Sequence, residues 1–368
     1  MFRHLSLGLF FCPLLTSYGV ETIPIPELDT KGDVYKTEGP NDPLIYDSTI
    51  GEKKAVLLFV DYPNIPQDGD TKKRGESLLA GGEFQKLFKD QSYGKFSVEV
   101  EQIHGWRRMP KENKEYDPTT TEGHRDLFVD AFALYPKINL LEYDYIMVSV
   151  AGSGNFAFGE RDDKAIPYRG EKINVALNQG SMSYFVLAHE FAHCMGLPDL
   201  YTYTDRVPKD YAKNPLGPWD IMSSAGQSTG FIGWHRHKFG WLNDDRKTYL
   251  SEGTHRLTLT PLDRKDGLSM IAIPADDPEK PSKVFVIECA QPLRLAKKRK
   301  QMDGVLVYSV DATRPSGQNP VILFPRKDKV NAAFRPGESF SDPSAPFELK
   351  VIEKQESGSY EIEVVVKK

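Results

Sequence analysis

The chain has little cysteine: three among 368 residues, at Cys12, Cys194 and Cys289. Cys12 sits in an apolar N-terminal stretch, so a chain that loses this stretch keeps only two. Two thiols do not make a disulfide framework, and their spacing does not decide whether they pair. Asn-x-Ser/Thr sequons are absent. No apolar run approaches the ~20 residues that a membrane-spanning helix needs. Charge of either sign is nearly balanced, at −5 net. That is too mild for a nucleic-acid surface, and no basic, aromatic-rich stretch accompanies it. The one basic run, Lys297–Lys300, reads as an exposed hairpin loop. There is no internal repeat.

What is present begins with the N-terminus. Arg3 and His4 precede an apolar run from Leu5 to Leu15, followed by small and polar residues. That is the layout of a secretory signal over residues 1–19, with cleavage near Ser17 or Gly19. An extracellular or periplasmic location is therefore expected. Residues 20–50 are rich in Pro, Gly and Asp and show no periodicity, so they read as a lead-in or short pro-segment.

The next two hundred residues alternate strand and helix signals. "AVLLFVDYP" reads as a buried strand ending at Pro63, and "KFSVEVEQIHGW" alternates as a half-buried strand. "YDYIMVSV" is a third strand, opening into a turn at 151–154, and "INVALNQGS" is a short or edge strand. "GEFQKLFKDQSYG" places Phe84, Leu87 and Phe88 on one helical face. "HRDLFVDAFALYP" is a second helix, closed by Pro136. Beyond Trp241 the texture becomes a series of short strand-like runs separated by turn residues. The expected fold class is α+β. A domain over 51–247 combines a mixed sheet with a site-bearing helix, and an all-β, sandwich-like domain follows over 248–368.

The chemistry is concentrated in "LAHEFAHCMGLPDLY", Leu187–Tyr201. On a helix, with Ser181 or Ser183 as candidate N-cap, His189 and His193 project within about 40° of each other, one turn apart. Two imidazoles so placed can share one metal ion. Glu190 lies beside the pair, placed to take the proton of a water that the ion makes acidic. Cys194 falls on a different face with Leu187 and Phe191 and is expected to pack rather than ligate. Gly196 can take a positive φ and end the helix, and Pro198 stiffens the exit. The turned chain then brings Asp199 back towards the histidines as third ligand, with Asp205 as competitor. Three protein ligands and one open position make a catalytic site, not a closed structural one. His235 and His237 are further imidazoles, expected to be packed or solvated.

"HEFAHCMGLPDLY", "GPWDIMSS" and "GWHRHKFGWL" together resemble the M6 metallopeptidases, typified by immune inhibitor A, over roughly residues 53–245. The resemblance implies a secreted zinc endopeptidase of metzincin type acting on a protein or peptide substrate. His189, His193 and Asp199 would be its ligands, Glu190 its general base and Met222 the methionine of its Met-turn. It also implies calcium, at no identified position. The histidine that most metzincins place after the glycine is here Asp199, and no tyrosine closely follows Met222. Tyr201 and Tyr203 are then the candidates to polarise the substrate carbonyl. Two other readings compete: a secreted binding protein that keeps the fold without turnover, and a zinc hydrolase of a non-peptide bond. Retention of Glu190 speaks against the first.

Overall fold

The computed structural model describes residues 22–32, 36–117, 120–152, 157–160, 167–169, 171–179, 183–203, 215–226, 230–290, 303–324 and 332–367. The expected leader with Cys12, and also Ser181, Asp205 and the Lys297–Lys300 run, lie outside them.

A five-stranded sheet organises the first part. Its strands are β1 (Gly51–Asp61), β2 (Phe96–Arg108), β3 (Tyr145–Val150), β4 (Ala157–Glu160) and β7 (Asn174–Gln179), in the order β2-β1-β3-β7-β4. A small hairpin, β5 (Pro167–Tyr168) with β6 (Glu171–Lys172), lies between β4 and β7 in the chain. The first four strands of the sheet run parallel, and β4 is antiparallel to β7. "INVALNQGS", expected as a short or edge strand, is an interior strand. The edge is β4, whose four residues carry too little pattern to be read as a strand.

The continuous apolar run of β1 has a simple cause: both its faces are covered. Ala55, Leu57 and Phe59 face α1 (Thr71–Leu79), α2 (Glu83–Gln91) and α4 (Tyr184–Cys194). Val56, Leu58 and Val60 face α3 (Thr121–Ala133). Phe191 of α4 anchors the first layer among Tyr145, Phe88 and Phe84, at ring-centroid distances of 4.2, 5.0 and 5.4 Å. Among the described residues the last α-helix is the short α5 (Gly233–Lys238).

The C-terminal part is β-rich, as expected. One sheet runs β13-β12-β11-β10-β8, with β8 (Lys247–Tyr249), β10 (Met270–Pro274), β11 (Lys283–Cys289), β12 (Val305–Asp311) and β13 (Val321–Phe324). The other runs β14-β15-β16-β9, with β9 (Gly253–Leu259), β14 (Ser339–Ser341), β15 (Phe347–Lys354) and β16 (Tyr360–Val366). Ile271, Phe285, Ile287 and Val307 meet Phe347, Leu349, Ile362 and Val364 between the sheets. The opposite face of the first sheet carries Met270, Ala272, Val284, Val286 and Tyr308, which join the core beneath α4. The sandwich therefore shares a continuous apolar core with the site-bearing helix.

Candidate functional site

Helix α4 is apolar on most of its circumference, and its histidines and Glu190 are nonetheless buried, each 6% exposed. Ser183 holds the N-cap position, but its side chain makes no capping bond. The C-terminus is closed firmly. Gly196 has φ +95°, its N–H donates to the His193 carbonyl, and the Leu197 N–H reaches back to Ala192. That paired arrangement is the Schellman motif, which needs the left-handed residue glycine supplies. It sends the chain back over the helix. Cys194 packs against β7, where its thiol donates to the Val175 carbonyl.

The turn places Asp199 between the two imidazoles. Its Oδ1 lies 2.9 Å from His189 Nε2 and 3.2 Å from His193 Nε2. The opposite ring nitrogens are committed elsewhere: His189 Nδ1 to the Ile221 carbonyl at 2.9 Å, His193 Nδ1 to the Leu197 carbonyl at 2.7 Å. A carbonyl only accepts, so each Nδ1 carries the proton and each Nε2 is turned inward, the atom available to a metal. Ligand atoms of His189, Glu190 and His193 also lie within 4.8 Å of one another. The histidines thus belong to two overlapping triads, one closed by Glu190 and one by Asp199. Nitrogen and oxygen donors in this number, buried and pre-oriented, fit a divalent metal and are compatible with zinc.

The electrostatics match a site built for a cation. Burial alone would lower the His189 pKa, but its bond to Asp199 and the Glu190 and Asp199 charges lift it to about 9. Burial raises the Glu190 carboxyl above its ordinary value, only partly offset by the two histidines. Asp199 is held well below the carboxylate range: its histidine partners outweigh the opposing effect of burial. Burial also raises the Tyr201 and Tyr203 phenols, which stay protonated as donors. Tyr201 is half-buried with its ring 6.1 Å from that of His189. The Tyr203 hydroxyl donates to Asp199 Oδ2.

Met222 is fully buried in a turn whose backbone serves the site. The Ile221 carbonyl orients His189, and the Met222 carbonyl accepts from the Leu200 N–H at 3.1 Å. Asp220 forms this turn, accepting from the Met222 N–H at 2.7 Å and the Ile232 N–H at 2.8 Å. It also pairs with His235, whose other nitrogen meets Glu38 at 3.0 Å, all three side chains fully enclosed. His235 is thus a packed histidine, and half-buried His237 lies against Trp234. Sequence reasoning singled out none of Asp220, Glu38, Lys36 and Ser316. For Asp220 alone there was a local signal, an aspartate opening a turn. Lys36 donates to the Gly159 carbonyl of β4 at 3.0 Å, and its charge lowers the Glu190 pKa.

No protein-family profile matches the chain, and no curated protein does. Among similar solved structures is the crystal structure of catalytic inactive OgpA from Akkermansia muciniphila in complex with an O-glycopeptide (glycodrosocin) substrate. The two share 11% identity at a TM-score of 0.30, over 92% of this chain and 96% of that one. A likeness that slight carries no argument, and the site rests on its own geometry.

Proposed function

We propose that the chain is a secreted zinc-dependent endopeptidase of metzincin type. One observation carries the reading: two inward-turned Nε2 atoms and Asp199 Oδ1 surround a common point with a buried carboxylate, Glu190, beside it. His189, His193 and Asp199 hold the ion. Glu190 stays out of that set because it adjoins His189 in sequence, whereas Asp199 already reaches both imidazoles. Zinc, when bound, supplies Lewis-acid chemistry, polarising a carbonyl and making water acidic near neutral pH.

The remaining work falls to side chains. Glu190 takes a proton from the attacking water and delivers it to the leaving nitrogen; a carboxyl pKa raised above its ordinary value by burial suits both transfers. Tyr201 keeps its proton and donates to the carbonyl oxygen as negative charge develops there. Both phenols interact with Asp199; Tyr201 takes this task because its ring lies beside that of His189. Met222 fills the floor under the turn that orients His189.

The test is bound zinc and cleavage of an unfolded protein by the chain, with and without a chelator, beside Glu190→Ala. About one zinc per chain is expected, with chelator-sensitive cleavage lost by ~10²-fold or more in Glu190→Ala. Zinc binding without Glu190-dependent cleavage would instead identify a binding protein. Asp199→Ala is expected to lose zinc affinity where Asp205→Ala keeps it.

A further inference from the structure

The segment that carries Asp199 does not stand alone. It pairs with a loop of the sandwich, residues 312–320 between β12 and β13, more than a hundred residues downstream. The Gly317 N–H donates to the Asp199 carbonyl at 3.1 Å, and the Tyr203 N–H donates to the Gly317 carbonyl at 2.9 Å. Thr202 forms an antiparallel bridge with Gln318, and its hydroxyl donates to Asn319 Oδ1 at 2.5 Å. The approach is close enough to require glycine. Gly317 has φ +78°, and a Cβ there would sit 2.2 Å from the Tyr203 ring.

The side chains converge on one carboxylate. Ser316 Oγ accepts the Asp199 N–H at 2.9 Å and donates to Asp199 Oδ2 at 3.4 Å. Tyr203 donates to the same Oδ2, and its oxygen lies 3.4 Å from Ser316 Oγ. The loop is itself held in place. The Asp311 N–H bonds the Pro320 carbonyl at 2.8 Å, and Thr313 Oγ1 donates to Asp311 Oδ1 at 2.6 Å. The Ser316 N–H donates to the Lys36 carbonyl at 3.1 Å. With two hydroxyls on Oδ2 and the backbone pinned on both sides, the carboxylate cannot swing, and it presents Oδ1 alone to the two histidines.

We propose that the β12–β13 loop is a built part of the metal site, with Ser316 and Tyr203 as positioning residues that fix Asp199 as a one-oxygen ligand. The inference rests on the metal reading above and gives the sandwich a role in it. Groups that orient metal ligands commonly contribute 10–100-fold in affinity. A one-oxygen carboxylate beside two imidazoles also leaves the open position that a reacting carbonyl needs.

The test uses the full chain, with zinc affinity measured by competition against a chelating indicator and the ligand field read from the cobalt(II) absorption spectrum. Ser316→Ala is expected to weaken zinc by about 10–100-fold and to alter the cobalt spectrum. Ser316→Thr, which keeps the hydroxyl, is expected to restore both. Leu349→Ala, in the core between the two sheets, is expected to lower the melting temperature while leaving the cobalt spectrum unchanged. Wild-type zinc affinity and spectrum in Ser316→Ala would overturn the positioning role while leaving the metal site intact. Failure of the unsubstituted chain to bind zinc would overturn both.

Discussion

At the scale of single residues, the site spends the basicity of His189. In the metal-free chain this imidazole keeps a proton up to about pH 9, because Asp199 and Glu190 outweigh the effect of burial. The proton sits on Nε2, since Nδ1 already donates to Ile221. In the proposed site zinc would take that same Nε2, so binding would expel the proton. The sign follows directly. Between about pH 7 and 9 affinity rises with pH, close to tenfold per unit for one proton released, and it flattens above pH 9. Measured Kd values across this range, or proton release read by calorimetry in buffers of different ionisation enthalpy, check it. A Kd independent of pH would remove His189 from the ligand set. The convergence of the two histidines was legible in the sequence because a four-residue spacing puts both rings on one side of a helix turn. Asp199 was legible because Gly196 announces a chain reversal. Ser316 was not. It lies 117 residues from the aspartate it holds, and no local pattern sets a serine in a loop apart from any other.

At the scale of elements, helix α4 is held by β4 as tightly as two backbones allow. A Cβ built on Gly159 would fall 1.8 Å from the Glu190 carbonyl oxygen and 2.6 Å from its carbon. Nothing flexible is available to move, so the strand or the helix must. Gly159→Ala is therefore expected to cost about 1–3 kcal/mol of stability, as overpacking does. It should also displace Glu190 and lower cleavage beyond what the lost stability accounts for. Thermal melts paired with the cleavage assay measure both effects; unchanged values in both would mean that β4 does not lie against α4 at this distance. This contact also explains which elements could be read in advance. Strand β1 declares itself because burial on both faces demands six consecutive apolar residues. Strand β15 declares itself by alternation, with Phe347, Leu349 and Val351 buried. β4 has no such signal: four residues at an edge, one of them a glycine present for the sake of its neighbour. α1 carries Lys, Arg and Glu through its middle and buries only Thr71, Gly75, Leu78 and Leu79, too few for a helical stripe.

At the scale of the molecule, residues 22–50 bind the two parts together, although those of them that the structure describes contain neither helix nor strand. Their composition reads as a detachable lead-in; their contacts describe a strap. The Tyr249 N–H bonds Ile23, the Asp29 N–H bonds Pro281, Asn41 caps the end of α4 through Met195, and Thr49 reaches Phe239. The central fastening is ionic. Fully enclosed His235 lies between Glu38 of the strap and Asp220 of the Met222 turn. Burial alone would lower its pKa, but the two carboxylates raise it to about 10. Glu38 is lowered despite burial, chiefly by His235. A histidine raised in the fold contributes stability that is complete below its unfolded value near 6.5 and is lost as pH rises through about 10. The glutamate's share is present above its ordinary value and is lost on acidification. Both are complete between about pH 5 and 6.5. His235→Gln strands two buried carboxylates and is expected to cost about 3–5 kcal/mol in that window. The gap to wild type should shrink towards pH 10. Lys238, pushed down to about 8 by burial, stabilises in the opposite sense as pH rises; its burial is common to both chains, so the difference carries only its coupling to Glu38. Melting temperatures of the two proteins from pH 5 to 10 give the gap directly. Proteolysis near Leu44, 80% exposed within the strap, tells whether the strap lifts: cutting should quicken in His235→Gln at pH 6 and converge with wild type near pH 10. A gap that stays constant across this range would mean that His235 is held by packing, not by charge, and that the strap is fastened elsewhere.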